Sequence, residues 1–560
     1  MFMQAASAKV SHNELIKEAN PTLAGTIKQT LLDPNIERFS EDDGQFLKFH
    51  GIYQQDDRDL RKTGKKYMFM VRGRLPGGVV SPELYLTFDK LATDCANNTL
   101  RITSRQGFQF HGVVKGTLGP LMRGINEALA TTLAACGDVN RNVMAPPTPS
   151  TSPVVERVHE DARLLSKALL PKTKAYHQIW VDGQELNLGN DEKDFIDPLY
   201  GKTYLPRKFK TAFAIPPLND IDVFTNCLGF IAITEGDELV GYNLIAGGGL
   251  GMNHGNAETF PRMADVIGFH TPDHIEAVAK AVLTIHRDFG DRTNRKHARL
   301  KYVLEDRGAP WFREEVERRT GIKLENPRPF QFTKQGDLFG WHKQFDGKLF
   351  LGLYVETGRI RDQDGYKLKS ALKEIVQQFK TELRLTASQN LLVTNVDPQH
   401  QAAITRILAE HNILVENQAT IIRRASMACP ALPTCGLALA ESERMLPDLL
   451  ARIEALLAEL GLQSEEIIIR STGCPNGCAR PYMAEIGFVG KAPNKYQIYL
   501  GGNESSTRLN RLFKENVQNA VIIDELRPVL TRYAKERNAG ERFGDWCERV
   551  LWKEAPVAAN

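Results

Sequence analysis

Four cysteines fall in two pairs, Cys429-x5-Cys435 and, after a 38-residue gap, Cys474-x3-Cys478. Four thiolates drawn together can hold an iron–sulfur cluster or a zinc ion. Zinc knuckles space each pair by about two to four residues, so the first pair is wide for one. Pro430, Pro433 and Pro475 fix turns, and Asn476-Gly477 is a turn signal. Gly436, Gly473 and Gly477 let backbone come close to a bulky group. The spacing leaves three readings open: a [4Fe–4S] cluster, a zinc site, or ordinary buried cysteines.

A second constellation is cationic. Leu100-Arg-Ile-Thr-Ser-Arg-Gln-Gly-Phe-Gln-Phe-His-Gly-Val113 reads as two short strands around a turn. Alternation turns Leu100, Ile102, Phe108 and Phe110 toward a core and leaves Arg101, Gln109 and His111, with Arg105, as donors on the polar side. A solvated sheet face would alternate in the same way. Tyr204 to Ile215 reads as a strand with Phe209, Thr211, Phe213 and Ile215 on one face and Lys208 and Lys210 on the other. Two ammonium groups at that spacing, roughly 7 Å apart, repel unless solvent or an anion lies between them. Asp291 to Tyr302 reads as a helix that sets Arg295 and Arg299 on one side.

The elements around these residues show a repeat. Tyr67 to Leu75 is a strand, Pro76-Gly77-Gly78 a turn, and Ser81-Pro82-Glu83 a capped helix start, with Leu84, Phe88, Leu91 and Ala92 as its buried stripe. Leu239 to Ala246 is a strand that runs into Gly247-Gly248-Gly249. Leu383 to Val396 echoes Leu100 to Val113 with five identities in fourteen, and Tyr496 to Gly502 echoes Gly241 to Leu250. A period near 280 residues means two similar halves rather than a solenoid. The expected fold is α+β, a three-domain pseudo-two-fold architecture in the order A-B-A′-B′. Its segments are an extended N-terminal arm (1–66), A (67–134), B (135–327), A′ (328–410) and B′ (411–560). The first half kept the cations and the second the cysteines.

A chain of 560 residues is too long for one core. A net charge of +3 gives no global field for nucleic acid. No apolar run reaches membrane-span length, and the N-terminus lacks the apolar core of a signal peptide, so the reading is a cytoplasmic protein. Cys95, Cys136, Cys227 and Cys547 are scattered and read as reduced thiols.

The strings Ala428-Cys-Pro-Ala-Leu-Pro-Thr-Cys-Gly-Leu-Ala438 and Thr472-Gly-Cys-Pro-Asn-Gly-Cys-Ala-Arg480 strongly resemble the cluster motif of the sulfite and nitrite reductase hemoproteins. The resemblance runs from about His50 into the C-terminal region. It implies a [4Fe–4S] cluster on Cys429, Cys435, Cys474 and Cys478, and a siroheme whose iron shares the Cys478 thiolate, both lying between the halves. It assigns Arg101, Arg105, Gln109, His111, Arg207 and Arg299 to the siroheme and its carboxylate rim, and Arg72, Arg141, Lys208 and Lys210 to the substrate oxygens. Ser104 departs from the Asn common in relatives, and Arg299 stands where a close relative has Lys. Gln54-Gln55-Asp56-Asp57-Arg58 and the paired lysines point to the branch that reduces sulfite to sulfide with six electrons in sulfate assimilation. A siroheme nitrite reductase and a ferredoxin-dependent sulfite reductase are the alternatives. No G-x-G-x-x-G follows a strand, so the chain by itself lacks a dinucleotide fold. The implied electron donor is a separate FAD/FMN flavoprotein subunit in a hetero-oligomer, docking through the N-terminal arm.

Overall fold

The computed structural model describes residues 10–149, 152–173, 179–181, 184–186, 195–416 and 419–554. Part of the proline-rich run 145–153 therefore lies outside the described residues.

Two five-stranded sheets carry the A and A′ segments, and each is completed by the other half. The first runs Ile52–Asp56, Tyr67–Arg72, Phe108–Val113, Leu100–Ile102, and then Arg359–Ile360 from the second half. The second runs Gly340–Lys343, Leu349–Leu353, Leu391–Val396, Glu382–Leu385, and then Val79–Val80 from the first half. The exchange satisfies an edge in both sheets and fuses A and A′ into one body. Helix Pro82–Cys95 starts as expected, with the Ser81 side chain accepting from the Leu84 amide. Phe88 and Ala92 of its stripe are fully buried, while Leu84 and Leu91 pack at the margin.

The B and B′ sheets share a second plan. Thr211–Ala214 pairs in parallel with Leu228–Glu235, which pairs antiparallel with Glu238–Ala246 and then Asp265–His270. Ile469–Thr472, Ile486–Ala492, Lys495–Leu500 and Arg511–Gln518 repeat that order, with Met427–Ala428 added at the edge. Both third strands end on a glycine at positive φ, Gly247 at 86° and Gly501 at 105°. Gly248 and Gly502 are held against carbonyls of their own halves so closely that a Cβ would collide. Among the described residues no helix is long and apolar enough to cross a membrane.

Three local expectations need correction. Residues 10–66 are not extended: helices His12–Ala19, Ile27–Leu32 and Glu41–Phe49 lead into the strand Ile52–Asp56. Ile16, Leu23, Phe39, Phe46, Leu47 and Phe49 are buried in the large core, and their burial outweighs the polar character of the segment. Tyr204 to Lys210 is not strand. Tyr204 is left-handed at φ 56°, and Phe209 bonds the 139–141 backbone instead of a sheet neighbour. Residues 291–299 are irregular because Asp291 Oδ1 accepts from the Thr293 and Asn294 amides, and the helix starts at Leu300.

Candidate functional site

Between the halves lies a cavity of about 460 Å³. The hairpin after Leu100 contributes Arg101, Arg105, Gln109 and His111 to its wall, all on the polar side that alternation predicted. Arg72 comes from the neighbouring strand, Arg141 from the segment facing Phe209, and Arg207, Lys208 and Lys210 from the irregular run before Thr211. Cys429, Cys435, Cys474 and Cys478 line the same cavity from the second half. Of the sequence-selected residues only Arg299 lies off this wall. It is buried behind the Gly249 backbone, and its Nη2 donates to Cys227 Sγ at 3.4 Å.

Hydrogen bonds fix the wall. Gln109, with its amide oxygen turned to Arg72, accepts from Nη2 at 2.6 Å and Nε at 3.2 Å and donates to His111 Nε2 at 3.2 Å. Arg105 donates to Asn226 Oδ1 at 2.8 Å and to the Asn142 carbonyl at 2.6 Å, while its buried Nε has no partner among the described residues. Arg101 points elsewhere. It pairs with Glu443 at 2.9 Å and donates to the Ala428 carbonyl at 2.8 Å. Gln389, at the place in the second hairpin that Gln106 holds in the first, accepts from the Ala428 amide at 3.2 Å. The residue before Cys429 is thus gripped by both halves. Burial would push the Glu443 carboxyl up, but Arg101 and Arg359 hold it at about 2.

Ten Lys and Arg residues lie on the wall against one acid among its described residues, Asp138. Arg295 occupies that acid bidentately at 2.8 and 3.0 Å. Among the described residues the side chains of Arg207, Lys208 and Lys210 have no ion pair or hydrogen bond. Burial, then repulsion from Arg207, Arg299 and Lys210, pushes the Lys208 ammonium well below its usual range. Burial, Arg105 and Arg299 hold Lys210 at about 7. Preorganised cations of this density cost folding energy unless a polyanion joins them, and a carboxylate-rimmed macrocycle with an oxyanion substrate fits that demand.

The thiols fit a cluster. Burial and the neighbouring Cys478 push Cys429 far up and Cys474 to about 11, so a metal would have to stabilise the thiolates. The Gly473 amide donates to Cys429 Sγ at 3.3 Å, and Asn476 Nδ2 donates to Cys474 Sγ at 3.4 Å, contacts that tune cluster potentials. Among the described residues no three His, Cys, Asp or Glu side chains converge tightly enough for a single metal ion. Cys429, Cys435, Cys474 and Cys478 line one cavity and lie in one another's electrostatic field, a donor set that fits a four-thiolate metal cluster.

Several contributors were not selected as site residues from the sequence. Arg58 closes over the cysteine loop: Nη1 donates to the Ala438 carbonyl and Nη2 to the Gly436 carbonyl, both at 2.7 Å. Its own amide donates to the Pro433 carbonyl at 3.2 Å. Ser104 Oγ donates to the Cys478 carbonyl at 2.7 Å. Tyr53 and Gln55 face the cavity from the first strand, and Asn13, Ile16, Lys17, Gln45, Lys48 and Phe49 line its other end. The 54–58 string signalled Gln55 and Arg58, and the departure at Ser104 signalled that residue.

Comparison with known proteins gives a consistent picture. The family model described as "Nitrite and sulphite reductase 4Fe-4S domain" matches residues 160–324, the half that lacks the four cysteines. The "Nitrite/Sulfite reductase ferredoxin-like half domain" matches twice, over 61–128 and 342–411, on the two strand-exchanged sheets. The chain is 50% identical over 98% of its length, and 98% of the relative's, to the sulfite reductase [NADPH] hemoprotein beta-component of Myxococcus xanthus. It is 49% identical to that of Geobacillus thermodenitrificans, over 100% of this chain and 99% of the relative. The fold matches that of the Mycobacterium tuberculosis NirA protein with a TM-score of 0.79 at 23% identity, covering 97% of this chain and 96% of that one.

Proposed function

From the premise that the chain belongs to the nitrite and sulphite reductase family, we propose that it reduces sulfite to sulfide as the hemoprotein component of an assimilatory sulfite reductase. The observation that carries this reading is one cavity lined by four cysteines and by ten Lys and Arg residues, of which Arg207, Lys208 and Lys210 have no side-chain partner among the described residues. When bound, the [4Fe–4S] cluster and siroheme would relay electrons from the external donor, six for each sulfite, and supply the iron that takes the sulfur.

Cys429, Cys435, Cys474 and Cys478, which line the cavity together, would hold the cluster, and Cys478 would also serve the siroheme. Arg105, Gln109, His111 and Arg207 meet the macrocycle's carboxylates, for which guanidinium forks are suited. Arg101 and Arg299 serve this side indirectly, Arg101 through the Ala428 carbonyl and Arg299 by packing on Gly249. Arg72, Arg141, Lys208 and Lys210 bind the sulfite oxygens, which carry the charge and must leave as water. The ammonium groups both stabilise the anion and move protons to those oxygens. Lys208 and Lys210 are half-buried, and the partial loss of water around them strengthens each charge–charge contact.

The relatives' names specify NADPH and a beta-component, which supports a separate partner that oxidises NADPH. We take this partner to be an FAD/FMN flavoprotein, since splitting a hydride into single electrons requires a flavin. The test is reconstitution. The chain alone should reduce sulfite with reduced methyl viologen and consume no NADPH until the flavoprotein is added. NADPH oxidation coupled to sulfite by this chain alone would sink the two-component reading. Activity with ferredoxin and none with the flavoprotein would move it to the other branch.

A further inference from the structure

The glycine run Gly247-Gly248-Gly249 leads into Leu250-Gly-Met-Asn-His254, a stretch with no helix or strand of its own. It belongs to the first half, yet it lies on the second-half loop that carries Cys474 and Cys478. The Met252 amide donates to the Pro475 carbonyl at 3.0 Å, and His254 Nε2 donates to the Gly490 carbonyl at 3.0 Å. Gly251 sits so close that a Cβ there would stand 3.3 Å from the Asn476 carbonyl oxygen. Leu250 and Tyr482 share a small apolar cluster that also covers Gly477. None of residues 247–254 stands on the cavity wall, so this strap meets the cysteine loop and not the cavity. One side chain gathers it. Lys301, fully buried at the start of helix Leu300–Thr320, donates from Nζ to the carbonyls of Gly249 at 3.2 Å, Gly251 at 2.9 Å and Phe260. The ring centres of Tyr302 and Phe260 lie 4.8 and 5.6 Å from the same nitrogen. Burial and Arg299 lower the Lys301 pKa to about 6, but three acceptors around one nitrogen take all three ammonium protons, so the charged form is the one the backbone holds.

We propose that Lys301 is a positioning residue for the iron–sulfur centre, which through the strap Gly249–His254 holds the Cys474-x3-Cys478 loop in the arrangement a cluster needs. The inference rests on the cluster reading and adds a residue that does not itself line the cavity. Groups that hold a metal's ligands in place matter because a ligand loop free to move gives up its metal more readily. The strap has little regular structure to keep its own shape, so its three carbonyls depend on the ammonium that collects them.

The test is the rate at which a ferrous chelator takes iron from the cofactor-loaded protein, followed well below the melting temperature, with Tm recorded for each variant. Lys301→Met keeps length and removes the charge, and should speed iron release by about tenfold. Gly251→Ala leaves Lys301 intact, sits on backbone that alanine can adopt, and presses a methyl on Asn476. It should speed release by a smaller factor, and it decides the matter if Lys301→Met does not fold. Ile375→Ala, a buried core deletion in the A′ helix Leu368–Phe379, controls for lost stability and should release iron at the wild-type rate. A wild-type rate in Lys301→Met, or in Gly251→Ala where Lys301→Met does not fold, overturns the proposal. Equal acceleration in Ile375→Ala also overturns it, because Lys301 would then act only through global stability. Wild-type protein that takes up no cluster from iron and sulfide would overturn the cluster reading itself, a result distinct from either.

Discussion

Asp222 and Arg480, 258 residues apart, occupy the same place in the two halves and bind each other through Oδ2 and Nε. Each is left-handed, at φ 50° and 53°, and each starts a short 3-10 turn six residues before its half's long strand. Arg470 adds a second contact to the same oxygen at 2.6 Å. Arg480 also donates to the Ser104 and Ala387 carbonyls, both at 2.9 Å, and so joins both hairpin turns at the pseudo-two-fold axis.

Asp222→Asn should therefore destabilise the fold by about 3–5 kcal/mol, because it leaves two buried guanidinium groups without their counter-charge. Burial raises the Asp222 pKa, but Arg470 and Arg480 hold it at about 2, below the ordinary 3.8. A depressed folded pKa stabilises above the unfolded value. The contribution is thus complete above about pH 4 and is lost as pH falls toward 2. Denaturant unfolding at pH 7 and pH 3 checks both statements: the variant should lose most at pH 7 and have a flatter acid limb.

Lys208→Met and Lys210→Met keep length and packing while removing charge. Sulfite turnover should fall by up to about 10²-fold in each, as when other preorganised donors are removed from dry sites. Cofactor absorption should stay near wild type. Unchanged kinetics in both would return the pair to a structural role.

Arg58→Ala removes two charge-assisted bonds to the loop that carries Cys435. The expected outcome is protein that folds but holds less cluster. Iron and acid-labile sulfide per chain should fall well below wild type, and Arg58→Lys should recover part of the loss. Full iron content in Arg58→Ala would remove Arg58 from the support of the site.

Cys478→Ser exchanges a soft thiolate for a hard, poorly ionised hydroxyl. Siroheme absorption and sulfite reduction should be lost together. Retention of both would show that another side chain bridges the two cofactors.

The sequence by itself determined the chemistry and the plan of the fold. Cysteine spacing and the surrounding motif pointed to Cys429, Cys435, Cys474 and Cys478 as candidate cluster ligands, because ligand types and turn residues are local properties of the chain, and the fold brings all four to one cavity. The repeat of Leu100–Val113 in Leu383–Val396 predicted two halves, and strand alternation correctly turned Gln109, His111 and Arg101 to the polar side. Tertiary structure decided which of those donors remain available, and here the local pattern was silent. Arg101 is taken by Glu443, 342 residues away, and Arg295 by Asp138, 157 residues away. Composition read the first 66 residues as an extended arm, yet 10–66 fold into helices and a strand that wall the cavity and clamp the Cys435 loop. A charge's partner and an apolar residue's burial are set by contacts between distant segments, and only the folded chain brings those segments together.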